Sequence, residues 1–159
     1  PYPTLPPLQE GDILLTLSTH SFGWRHGHAG LVVDAQNGQV LEAVVLGRPS
    51  AVLSVEHWRS YSTLLILRLS SASEGLPGRV AQYAREHLSA LPYCLTSGLG
   101  REKAPSLEVG VGAQCAYLVW YAYWQFGYDL DGDGGQLVTV QDLASSPLLQ
   151  VIYSRGISP

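Results

Sequence analysis

Residues 115–126, CAYLVWYAYWQF, are apolar on almost every face of a helix, and Gly127 follows as a C-cap. Such a helix must be surrounded, so the rest of the chain has to wrap it. Its aromatic stripe, Tyr117, Trp120, Tyr121, Tyr123 and Trp124, reads as core rather than as a platform for sugars. The wrapping material is upstream, in short runs rich in Leu, Ile and Val: DILLTL (12–17), HAGLVVD (28–34), QVLEAVV (39–45), AVLSV (51–55) and TLLILRL (63–69). These read as strands, and the Asn37-Gly38 pair between the second and third is a hairpin signal. EHWRSY (56–61) fits one or two helical turns. GRVAQYAREHL (78–88) places Val80, Tyr83, Ala84, His87 and Leu88 at helical spacing. A loop rich in Gly and Pro then runs over 92–112, and TVQDLASSPLLQVIYS (139–154) predicts a short helix and a last strand. The expected class is α+β: a curved, mainly antiparallel sheet or small open barrel against the Cys115 helix and the 78–88 helix.

The 159 residues, 46% of them apolar, are enough for one sizeable core and exclude a disordered or fibrous chain. No repeat or interior linker divides them, so residues 11–159 read as a single domain behind a Pro-rich tether, residues 1–10. The net charge is −4 and the nine Lys and Arg are scattered, which removes the electrostatic footprint of a nucleic-acid or anionic-lipid binder. No apolar run reaches the roughly 18 to 20 residues of a membrane span. The start PYPTLPP, without Met, suits a trimmed export signal and favours a secreted or cell-envelope protein over a cytoplasmic one. Two cysteines, Cys94 and Cys115, make no disulfide framework, and their pairing is left open.

Cys115 is the most informative single residue, because it follows the glycine-rich VGVGAQ at the expected entry to the buried helix. Unpaired N–H groups and the helix dipole there favour a thiolate. The competing reading is a small buried hydrophobe, the usual fate of a free cysteine. Among five histidines, His28 opens a strand between Gly27 and Gly30, which leave the imidazole room beside another backbone. His20 and His26 lie in the polar loop STHSFGWRHG, while His57 and His87 fall in helical patterns and read as surface or packing residues. DLDGDGGQLVTV (129–140) begins like a calcium loop but ends on Val140 where a bidentate Glu is required, so it reads as a solvated acidic turn. His26, His28, Cys94 and Cys115 lack a CxxC or HxxxH pair, so no metal site is expected and no cofactor is implied.

GHAGLVV, then VLEA, LPY, QCAYLVWYAYWQFGYDL and VQDLASSPLLQVIY, in that order, resemble the circularly permuted branch of the NlpC/P60 cysteine peptidase superfamily, the YiiX and YycO-like proteins. The likeness covers nearly the whole chain from Gly11. Histidine and glutamate precede cysteine here, the reverse of the ordinary NlpC/P60 order, and this marks the permuted form. The resemblance implies a papain-like fold, Cys115 as nucleophile, His28 as general base, Glu42 as the orienting third residue and Tyr93 as an oxyanion-hole donor. It also implies a peptide or amide substrate, such as a peptidoglycan fragment. One departure stands out: Ala116 occupies the position after the cysteine where the family usually has Ser.

The set is chemically coherent: a thiolate to attack, an imidazole proton for the leaving amine, a carboxylate to fix the tautomer and a phenol with the Cys115 N–H for the oxyanion. One difficulty is register. A plain two-residue turn at Asn37-Gly38 would pair Val33 with Glu42 and point the carboxylate away from His28; a three-residue loop or a bulge would bring both to one face. Two other readings compete. Lecithin:retinol acyltransferase-like proteins share the order His before Cys, although this chain lacks an apolar terminal anchor and a basic amphipathic segment. A non-catalytic binding module on the same fold is the other, motivated by Ala116.

Overall fold

The structure, a computed structural model, describes residues 4–17, 20–21, 24–25, 27–43, 50–89, 111–131 and 138–156. Its architecture is α+β. In chain order the elements are β1 (Ile13–Thr16), β2 (His20–Ser21), β3 (Trp24–Arg25), β4 (His28–Asp34), β5 (Gln39–Glu42), β6 (Ala51–Ser54), a 3₁₀ helix (Val55–Ser60), β7 (Leu64–Leu69), α1 (Leu76–His87), α2 (Val111–Trp124), α3 (Val140–Ala144) and β8 (Leu149–Arg155). Six strands form one sheet in the order β6-β5-β4-β1-β7-β8, each neighbouring pair antiparallel. β2 and β3 make a separate two-stranded ribbon inside the stretch that reads as a polar loop.

Side chains alternate across a strand, and here both faces are apolar. Ile13, Leu15, Ala29, Leu31, Val33 and Leu41 join α1 and α2 in the main core. Leu14, Val32, Val40 and Ile66 face the other way, onto Val55 and Trp58 of the 3₁₀ helix. Strands buried on both faces read as continuous apolar runs, which is why they were legible without clean alternation. Leu5 and Leu8, in the stretch that reads as a tether, pack against this second cluster. Buried Asp12 is held by Arg68, at 2.7 Å from Nε and 2.8 Å from Nη2, and tyrosine 123 of α2 donates its hydroxyl to the Gly11 carbonyl. These bonds tie the start of β1 to β7 and to the far end of α2.

As expected, α2 lies inside: Tyr117, Trp120 and Tyr123 are buried, while Trp124 emerges at its end. Gly127 has φ 87°, the left-handed conformation of a C-cap. The start differs from expectation. α2 begins at Val111, so Cys115 sits one turn inside rather than at the entry. Gly112 argues for loop on intrinsic propensity, but packing of the apolar helix that follows overrides it. No helix of the described residues is long and apolar enough to cross a membrane.

Candidate active site

β4 and β5 set the first two residues. Their ladder runs Leu31↔Leu41, Val32↔Val40, then Asp34↔Gln39, leaving Val33 as a bulge. The connection is therefore a four-residue loop, Ala35–Gly38, rather than a two-residue turn. Asp34 shapes it by accepting the Asn37 backbone N–H at 3.0 Å and its side-chain amide at 2.8 Å. With that loop alone, a regular ladder would set Glu42 opposite Leu31, on the helix side. The extra residue at Val33 moves Glu42 opposite Gly30 and so onto the face of His28. The register difficulty is resolved by the bulge.

On that face Glu42 Oε1 lies 2.6 Å from His28 Nε2, and both side chains are buried, at 0% and 3% exposure. Three donors converge on the carboxylate: His28 Nε2, His57 Nε2 at 2.9 Å on the same Oε1, and Trp58 Nε1 at 3.1 Å on Oε2. A buried carboxylate needs such partners, since an uncompensated one costs several kcal/mol. Trp58 also stacks on the His28 ring, with centroids 5.2 Å apart and planes 15° from parallel. Tyr61 packs edge-on against Trp58 at 5.2 Å.

Cys115 comes from the helix layer. N–H groups alternate sides along an antiparallel strand. The Val32 N–H reaches the carbonyl of Asp12, the residue before β1, so the Ala29 N–H points to the β5 side, where the ladder has already ended at Glu42. The thiol fills that place: Ala29 N–H donates to Cys115 Sγ at 3.2 Å. Cys115 is buried and not in a disulfide. Its sulfur, held beside the N–H of the residue after His28, is a neighbour of the His28 ring and raises the imidazole's pKa. Glu42 occupies His28 Nε2, which leaves Nδ1 as the nitrogen for a second partner.

Burial alone would pull the His28 pKa down, but the charge and hydrogen bonding of Cys115 and of Glu42 outweigh it and push the imidazole up to about 10. Burial pushes Glu42 up, yet the hydrogen bonds and charges of His28 and His57 hold it below the usual carboxylate range. The Glu42 hydrogen bond raises His57 against its partial burial. Burial and the charges of Glu42 and Cys115 push the Tyr61 phenol up to about 12.

Thus Cys115, His28 and Glu42 are brought together. Tyr93, Cys94 and His26 lie outside the described residues. Two expectations change. The Cys115 N–H, one turn inside α2, occupies a position whose donor is already committed to the carbonyl four residues back, so it is not a free oxyanion donor. His57, which reads as a surface or packing residue, binds Glu42. The helical pattern of 56–61 carries no signal that His57 or Trp58 meets Glu42; the β5–β6 pairing, Leu41↔Val52 and Glu42↔Ala51, carries the 3₁₀ helix over the carboxylate.

His28, Glu42 and His57 are metal-ligating types whose ligand atoms lie within 4.8 Å of one another. Their closest separations, 2.6 and 2.9 Å, are hydrogen-bond distances. Two ligands sharing a tetrahedral ion at about 2.0–2.1 Å stand about 3.3 Å apart, so the cluster fits protons better than zinc. Comparison with protein-family models, curated proteins and solved structures finds no match to this chain.

Proposed function

We propose that the protein is a cysteine-dependent hydrolase of an amide bond, on a papain-like fold of the permuted NlpC/P60 kind. The observation that carries the reading is the buried series Cys115, His28, Glu42: the His28 imidazole lies 2.6 Å from the carboxylate, and the thiol sits on the Ala29 N–H, the residue next to His28, at 3.2 Å. The Cys115 thiolate attacks the carbonyl carbon, and the carbonyl π electrons move to oxygen. Collapse of the tetrahedral intermediate breaks the C–N bond, and the His28 Nδ1 proton goes to the leaving amine. Water, deprotonated by Nδ1, then attacks the thioester, releases the acid and restores the thiol. Glu42 keeps the proton on Nε2 throughout, so the working nitrogen always faces sulfur. With the Cys115 N–H committed within α2, the oxyanion donor must come from elsewhere, and Tyr93 is the candidate the resemblance supplies.

The peptide-like substrate class, with peptidoglycan stem peptides first, rests on that resemblance. The test is release of new amines from a peptidoglycan stem-peptide digest, with acyl adducts on the protein followed by intact mass. The parent and Cys94→Ser should both release amines, and Cys115→Ala should release none. Equal release by Cys115→Ala contradicts the proposal. An acyl adduct from phospholipid vesicles but not from peptides would move the substrate to the lipid class.

A further inference from the structure

His57 is the residue that this mechanism leaves unused. Its Nδ1 lies 2.7 Å from the Ser54 carbonyl oxygen and its Nε2 lies 2.9 Å from Glu42 Oε1. Ser54 O can only accept, and so can an ionised carboxylate that also takes protons from His28 and from Trp58. No neutral tautomer of His57 satisfies both neighbours, because each has one N–H. We infer that His57 is a positioning residue, held as an imidazolium between Ser54 and Glu42, which locks the carboxylate that orients His28. The inference rests on the cysteine-hydrolase reading.

The alternation of charge explains what His57 adds. In the attacking form that the proposed mechanism requires, Cys115 thiolate, His28 imidazolium, Glu42 carboxylate and His57 imidazolium follow one another with opposite signs. Without His57, two buried anions share a single cation, and the thiolate form loses support. The shared oxygen matters as well. His57 and His28 both bind Oε1, while Trp58 holds Oε2, so the carboxylate cannot rotate away from His28. The neighbouring charges on the 3₁₀ helix, Glu56 and Arg59, are paired with each other at 2.8 Å and do not compete for Glu42. His57 is 35% exposed, so its removal opens no large cavity.

A double-mutant cycle on Cys115 alkylation by iodoacetamide at pH 7, in the Cys94→Ser background, tests this. His57→Ala should slow alkylation about tenfold, the scale of one charge-assisted hydrogen bond. In the Glu42→Gln background the same change should slow it by less than about twofold, because His57 acts only through the carboxylate. An equal slowing in both backgrounds, or none in the first, overturns the inference. Slow alkylation of His28→Ala with an unaltered His57→Ala rate overturns the inference alone; an unaltered His28→Ala rate removes the underlying reading. If His57→Ala does not fold, ring ¹⁵N resonances of the parent at pH 7.5 decide. Both His57 nitrogens protonated is the expected result, and a neutral tautomer overturns it.

Discussion

A Cβ placed on Gly30 would stand 2.5 Å from Val40 Cγ1, 3.0 Å from Trp58 Cζ2 and 3.2 Å from Glu42 Cγ. Gly30 is therefore the space into which the indole and the carboxylate stem fit, directly beside His28. Gly30→Ala should cost about 1–3 kcal/mol of stability, read from urea midpoints, as an overpacked site does. It should also slow Cys115 alkylation by displacing Glu42. Unchanged stability together with an unchanged rate would mean that the carboxylate does not depend on this fit. The sequence marks His28 and Cys115 by their surroundings, a histidine between glycines and a cysteine beside an apolar helix. Glu42 was legible only through the order of motifs. His57 and Trp58 were not legible, because a short polar turn carries no record of which strand it will cover.

At the scale of elements, the apolar runs located every strand of the large sheet; in β1, β4 and β7 burial on both faces demands Leu, Ile and Val at consecutive positions, while the edge strands β6 and β8 are half-exposed. Turn chemistry was less faithful. Asn37-Gly38 reads as the centre of a two-residue turn, yet Gly38 closes a four-residue loop, its carbonyl accepting the Val55 N–H at 2.8 Å. The bulge at Val33 then decides which face Glu42 takes, and one inserted residue leaves no compositional trace. The start of α2 differs from the sequence reading for a related reason: Gly112 speaks for a loop locally, while the apolar stretch it precedes gains more by continuing the helix. Cys115 lies one turn inside α2, beyond the short reach of the helix terminus, so the donor its sulfur meets is the Ala29 N–H of β4 rather than an amide of the helix start.

For the molecule as a whole, the site links stability to pH. His28 rises from its ordinary 6.5 to about 10 on folding, so its contribution is full below about 6.5 and is lost as pH rises through about 10. Glu42 falls below its ordinary 4.5, so its contribution is full above 4.5 and is lost as pH falls through the lowered folded value. Together they place the maximum between about 4.5 and 6.5. Urea midpoints should decline from pH 6 to pH 10, and the decline should be shallower in His28→Asn. Equal slopes for parent and variant would show that the imidazole is not held charged by its neighbours.

The central claim is that the thiol of Cys115 is served by His28. Its most direct measurement is the pH profile of Cys115 alkylation by iodoacetamide, in Cys94→Ser so that one thiol reports, with and without His28→Ala. Removing the imidazolium takes away the cation that the thiolate faces, so at pH 6 the variant should react at least about tenfold more slowly than the parent. Overlapping profiles would contradict the account.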